Sequence, residues 1–252
     1  MVRGLDSFKE WFQGYEEQYV IIGGTACDLL MSDSGLEFRA TKDIDLVLIV
    51  EAIDADFARR FWEYIAAAGY EHRNKSTGAP QFYRFTNPQS REYPAMIELF
   101  TRRLDEIPLP EEAVLTPLPI DGNISSLSAI LLNDDYYSLL KQGKVRISDV
   151  SILDAPYLIP FKAKAWLDLS DRKEAGEPVD SKNVRKHKND VFRLSELLDF
   201  DQELLPDLPE AIRNDMNEVI VRMGTEDVDL KQLSISGKTK LDILNQLRRI
   251  YG

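Results

Sequence analysis

"IIGGTACDLLMSDSGLEFRATKDIDLVLIV", Ile21 to Val50, holds two aspartates one residue apart inside an apolar run. A carboxylate taken out of water is costly unless it is paired, hydrogen-bonded or bound to a metal. Side chains at i and i+2 of a strand project to the same face. Asp43 and Asp45 therefore point together, while Ile44 and Leu46 turn the other way into a core. Two like charges on one face also repel, so the stretch asks for a cation. Carboxylates a pleat apart suit a hard, oxygen-seeking ion such as Mg²⁺ or Mn²⁺. The plainer alternative is a strand whose exposed end is polar.

Upstream, "YVIIGG" reads as a strand closed by a glycine turn, and residues 25–32 restart as a helix. Gly23 and Gly24 let the backbone approach a ligand and take conformations closed to other residues. The N–H groups of such a turn and helix start form an anion site, to which the Thr25 hydroxyl adds a donor. A Gly-Gly pair alone marks many turns. What sharpens it is the return to a strand bearing Asp-x-Asp, which sets a phosphate cradle beside acids. Downstream, "AMIELFT" carries Glu98 among apolar neighbours. Brought beside Asp43 and Asp45, it makes a trio that can hold two metal ions about 3.5–4 Å apart for in-line phosphoryl transfer. The alternative for Glu98 is a rim position or a pairing with an arginine such as Arg84.

The rest of the chain supplies a frame. Residues 5–17 read as an amphipathic helix, and residues 54–68 as a strong helix capped by Asp54 and closed by Gly69. "QFYRFTN" and "AMIELFT" read as strands joined by the turn "PQSREYP". Residues 104–150 suggest short strands and a helix at 126–140. Beyond residue 154 the pattern is helical, near 157–171, 182–199, 208–223 and 238–250. The expected architecture is α+β: an N-terminal mixed sheet flanked by helices over residues 1–150, then a helical lobe over 151–252 that completes the active-site cleft.

The 252 residues are 44% hydrophobic, enough for one large core or two lobes, and no apolar run approaches a membrane span. The start, "MVRGLDSFKEWFQGYEEQ", shows no export signal, and the single cysteine, Cys27, suits a reducing compartment; the expectation is cytoplasmic, with no membrane partner. A net charge of −12 argues against a surface that grips nucleic acid throughout. It leaves room for the local basic segment "SKNVRKHKNDVFR", Ser181 to Arg193, read as a phosphate-binding or solvated helix face.

These residues resemble the nucleotidyltransferase superfamily with its polymerase-beta-like fold: an apolar strand, a glycine pair, a helix, Asp-x-Asp and a later third acid. "GGTA" and "RATKDIDL" are most similar to one branch, the AbiEii-type abortive-infection toxins and their tRNA-modifying relatives. The resemblance touches four short segments between residues 20 and 195. It implies that Gly23, Gly24 and Thr25 hold a nucleoside triphosphate, that Asp43, Asp45 and Glu98 hold Mg²⁺ or Mn²⁺, and that Arg39 is the basic residue preceding the acid pair. It further implies a catalytic Lys on the first C-terminal helix and an Asp beyond it, here within "LIPFKAKAWLDL" and "KHKNDVFRL".

Helical phase selects among these candidates. At about 100° per residue, Leu158, Phe161, Ala165 and Leu169 mark an inward arc that includes Lys162, whereas Lys164 faces away with Asp168 as an i,i+4 partner. On the next helix Asp190 falls inward with Val191 and Leu194. Lys162 and Asp190 are thus the pair expected at the catalytic cleft, with a structural ion pair as the alternative. Lys182, Arg185, Lys186 and Lys188 are expected to face outward toward tRNA or another RNA. The implied function is metal-dependent transfer of a nucleoside monophosphate from its triphosphate to an RNA, toxin-like, with a cognate antitoxin as an implied partner. The alternatives are an antibiotic-type small-molecule nucleotidyltransferase and a non-catalytic nucleotide-binding relative.

Overall fold

A computed structural model describes residues 2–49, 51–71, 84–100, 130–131, 133–199, 205 and 207–252. The described residues form an α+β protein that divides into two compact units. The first takes the described residues of Met1–Asp33, Phe38–Ile124 and Lys144–Leu153; the second takes those of Ser34–Glu37, Ser125–Gly143 and Asp154–Gly252.

The first unit is built on a six-stranded mixed sheet. Its strands are β1 (Tyr19–Ile22), β2 (Asp43–Leu48), β3 (Arg84–Thr86), β4 (Met96–Phe100), β5 (Lys144–Ile147) and β6 (Val150–Leu153), in the order β3-β4-β2-β1-β6-β5. The pairs β1/β2, β3/β4 and β5/β6 are antiparallel, and β1/β6 and β2/β4 are parallel. A parallel pair needs a crossover, and α3 (Ala55–Ala68) lies in the connection from β2 towards β4. Helix α3 starts where the Asp54 carboxylate accepts the Phe57 N–H at 2.8 Å. It ends at Gly69 (φ 63°), whose left-handed backbone glycine adopts without a steric penalty. Helix α1 (Leu5–Phe12) stops short of the expected residue 17, and Gly14 follows in a positive-φ conformation that breaks the helical run. Phe8 and Phe12 of α1 pack with Tyr19 of β1 and Tyr64 of α3, ring centroids 5.2–6.3 Å apart and mostly edge-to-face. This aromatic core fixes β1, and β1 carries the glycine turn at its end.

Helix α2 (Gly23–Asp33) follows β1 with no connecting residue. Cys27 on α2 is buried. The expected strand "QFYRFTN" is described only as β3, since residues 81–83 lie outside the described residues; of the short strands expected within 104–150, β5 and the start of β6 are present, and residues 104–129 lie outside the described residues. The helix expected at 126–140 is described at Ile130–Leu131 and again in α4 (Asp134–Gln142), which groups with the helical unit although it precedes residue 150.

The second unit surrounds α5 (Ala155–Glu174), which packs on α6 (Ser181–Leu194) and α7 (Glu210–Thr225); α8 (Lys240–Tyr251) packs on α7. Pro160 lies inside α5 and has no N–H to offer the carbonyl of Pro156. The hydroxyl of Tyr251, from α8, donates to that carbonyl at 2.6 Å. The proline gap is thus filled from another helix, and the Tyr251 phenol, wholly buried, is pushed well above its ordinary pKa by desolvation. No helix among the described residues is long and apolar enough to cross a membrane.

Candidate functional site

Gly23 begins α2 with φ +70°, and a Cβ built on it would overlap the Asp45 carboxylate. The close approach of an acid to the main chain here requires glycine, for space and for backbone conformation alike. It also sets a negative charge at the positive end of α2, whose first-turn N–H groups lack intrahelical acceptors. At Gly24 an added Cβ would meet Thr41 Oγ1 at 2.9 Å and the Arg39 guanidinium at 3.3 Å. The glycine pair therefore lies under a row of side chains, Arg39, Thr41 and Asp45, that alternate along the entry to β2 and along β2 itself. The Arg39 guanidinium also stands 5.0 Å from the centroid of the Phe38 ring.

Thr25 differs from expectation. It is fully buried and its hydroxyl donates to the Asp43 carbonyl at 2.6 Å. A hydroxyl has one proton to give, and here it is given to the main chain of β2, so this side chain ties α2 to β2. Its backbone N–H, in the first turn of α2, remains part of the helix start.

Along β2 the burial alternates as the sequence requires. Ile44 and Leu46 have no exposed surface, while Asp43 and Asp45 are half-buried. The parallel register brings Asp45 opposite Glu98 of β4, and the antiparallel register brings Glu98 opposite Arg84 of β3. Paired residues on neighbouring strands share a face, about 4.8 Å apart. One row thus crosses the sheet from Arg84 through Glu98 to Asp45, ending at Ile22 beside the glycine turn. Glu98 is held by Arg84, whose Nε donates to Glu98 Oε1 at 2.7 Å and whose Nη2 stands 2.5 Å from the same oxygen as an ion pair.

Among the described residues no group of three or more His, Cys, Asp or Glu is placed so that it could hold a metal ion. The donor chemistry nevertheless fits a hard divalent cation. Asp43 and Asp45 offer carboxylate oxygens on one half-exposed face, and Glu98 stands in register with Asp45. The described part of Glu98's coordination goes to Arg84 through Oε1.

The helical unit carries the other expected residues. Lys162 and Asp190 are both buried, with Lys162 Nζ donating to Asp190 Oδ2 at 3.2 Å. Arg193, one turn on, stands 3.8 Å from Asp190 Oδ1. Helical phase thus identified an inward pair, and the pair is ionic. Lys164 is more than an i,i+4 surface partner. It reaches Asp168 at 3.3 Å and also Asp215 of α7 at 3.0 Å, and Asp215 accepts from the Tyr136 hydroxyl at 2.9 Å. Burial pushes the Asp168 carboxyl up, only partly offset by Lys164. Burial works to lower Lys164, but the hydrogen bond to Asp215 and the charges of Asp168 and Asp215 carry it above its ordinary value.

Lys182, Arg185 and Lys186 are exposed on α6, whereas Lys188 is not. Lys188 Nζ donates to Glu226 Oε2 at 2.6 Å and to the Asp227 carbonyl at 2.9 Å, just past the end of α7. Lys240 donates to the Gly224 and Glu226 carbonyls. Lys240 thus satisfies a last-turn carbonyl that the end of α7 leaves orphaned, while Lys188 ties down the residues just past it. A cavity of about 780 Å³ opens beside this face, lined by Arg185, Asn189, Lys231 and Lys240 among others.

Sequence reasoning missed Thr41, although its place two residues before Asp43 puts it on the face of the acids. It also missed the inward turn of Lys188 and the Lys164–Asp215–Tyr136 network; the partners lie far along the chain and leave no local pattern. No protein-family model matches this chain, and no curated protein matches it.

Proposed function

We propose that this chain is a metal-dependent nucleotidyltransferase of the polymerase-beta-like class. The observation that carries the reading is the meeting, within one unit, of a strand–glycine–helix turn with a row of acids. The Gly23 backbone abuts Asp45, and Asp45 is the register partner of Glu98. In this reading Asp43 and Asp45 hold a divalent cation such as Mg²⁺, with Glu98 as the third acid. When bound, the cation lowers the pKa of the acceptor hydroxyl and offsets charge on the triphosphate. The backbone N–H groups at Gly23, Gly24 and Thr25 hold phosphate oxygens, and Arg39 beside Gly24 adds positive charge. The acceptor oxygen attacks the α-phosphorus, the bond from that phosphorus to its bridging oxygen breaks, and pyrophosphate leaves. Asp45 or Glu98 takes the acceptor's proton.

The narrower reading is an AbiEii-toxin-like enzyme whose acceptor is tRNA or another RNA. Its support is the exposed trio Lys182, Arg185 and Lys186 on a chain of net charge −12. The test incubates the protein with each α-labelled nucleoside triphosphate, Mg²⁺ and total tRNA, alongside Asp43→Asn and Asp45→Asn. Label transfer that both variants lose, with melting in the absence of metal unchanged or raised, supports the class and the site. Removing one of two crowded like charges does not harm the metal-free fold. Transfer retained by both variants, or no transfer from any triphosphate, sinks the reading.

A further inference from the structure

The Arg84–Glu98 contact has a geometry that bears on how the acid face is loaded. Arg84 sits on β3, the edge strand of the sheet, and its side chain is 44% exposed, while that of Glu98 is 14% exposed. An arginine fork matched to a carboxylate commonly spreads two donors over two oxygens. Here the hydrogen bond from Nε and the ion-pair approach of Nη2 both fall on the single oxygen Oε1. The guanidinium thus lies to one side of Glu98, and the cross-sheet row continues on the other side to Asp45. Arg84 sets a built-in positive charge beside the acids of this face, Asp43, Asp45 and Glu98.

We propose that Arg84 is a resident counter-cation that competes with the divalent ion for Glu98. This rests on the reading of Asp43, Asp45 and Glu98 as metal ligands. In the metal-free protein Arg84 neutralises the carboxylate that would otherwise face two like charges. An incoming dication meets that guanidinium as a like charge and draws on the same carboxylate. Arg84 gives up Glu98 as the ion is taken, and its edge position and exposure leave it room to swing into solvent. Metal affinity is therefore set below what three acids alone would give. The protein accordingly takes up its ion most readily together with an anionic ligand, such as a nucleoside triphosphate, that can accept the released guanidinium.

The experiment measures Mn²⁺ binding by electron paramagnetic resonance without nucleotide, at low ionic strength, on the full chain. The variants are Arg84→Gln, Arg84→Lys, Glu98→Gln, the double Arg84→Gln/Glu98→Gln, and Asp43→Asn. Arg84→Gln is expected to bind Mn²⁺ on the order of tenfold more tightly, the Coulomb effect of one charge on a dication within a few ångströms through a high dielectric. Arg84→Lys, which keeps the charge, stays close to wild type. With Glu98 already neutral, removing Arg84 changes affinity by less than in its presence. Thermal melting without metal confirms that each variant is folded. Equal or weaker Mn²⁺ binding by a folded Arg84→Gln overturns the competition while the metal site stands, provided Asp43→Asn loses binding. If Asp43→Asn binds Mn²⁺ as wild type does, the metal reading and the competition fall together.

Discussion

Replacing Lys162 by methionine removes a charge from a site where its partner has no access to water. Lys162 and Asp190 side chains are 5% and 0% exposed, and the ion pair spans 3.2 Å. Breaking a buried pair by deleting one member costs about 3–5 kcal/mol, because the other charge is left uncompensated. Arg193 stays within 3.8 Å of the far oxygen of Asp190, so the low end applies, about 3 kcal/mol. That is roughly a hundredfold in the folding equilibrium. The double variant Lys162→Met/Asp190→Leu removes both charges and replaces them with apolar volume. It is expected within about 1 kcal/mol of wild type, since buried pairs barely repay their desolvation. The assay is urea unfolding followed by the fluorescence of Trp166, which is buried on the same helix, in a background with Trp11→Phe and Trp62→Phe. A loss under about 1 kcal/mol for Lys162→Met, or a double variant as unstable as the single, refutes the account of this pair as a closed structural contact. A double variant that is stably folded yet devoid of label transfer assigns Lys162 or Asp190 a direct part in the chemistry.

Gly23→Ala forces a Cβ into the Asp45 carboxylate at φ +70°; the left-handed backbone alone costs about 1–2 kcal/mol, so both melting temperature and label transfer should fall, and a variant that melts and labels like wild type would falsify the close approach. Neutralising Lys182, Arg185 and Lys186 to glutamine should weaken RNA binding and flatten its log–log salt slope by roughly 0.7–0.9 for each phosphate no longer neutralised, leaving nucleotide binding intact; an unchanged slope makes α6 a solvated face. Lys188→Gln should instead act on stability, lowering the urea midpoint by loosening the end of α7, and a midpoint equal to wild type contradicts that role. Asp242 is held below the usual carboxylate range by the Thr239 hydroxyl and then its backbone N–H. Its contribution is therefore present above that range and is lost as pH falls through the lowered value, so Asp242→Asn should be less stable than wild type at neutral pH and converge with it in acid. Parallel stability curves down to acid pH count against this assignment.

Much of this protein is legible along the chain because the deciding forces act over a few residues. Alternation of Asp43, Ile44, Asp45 and Leu46 follows from the pleat, and burial in β2 obeys it. The limits of α3 follow from a capping carboxylate at Asp54 and a left-handed glycine at Gly69. The inward phase of Lys162 and Asp190 follows from helical geometry. Other facts depend on which strands become neighbours, and pairing is chosen by the packing of the whole sheet. Only the parallel register of β2 with β4 puts Glu98 beside Asp45, and only the β3 edge puts Arg84 on Glu98. The sequence marked Thr25 as a ligand donor and Lys188 as an outward charge, since neither side chain's local pattern reveals a partner. Tertiary contact gave the Thr25 hydroxyl to Asp43 and drew Lys188 to the residues just past the end of α7, because a buried donor must find its partner wherever the fold brings one within reach.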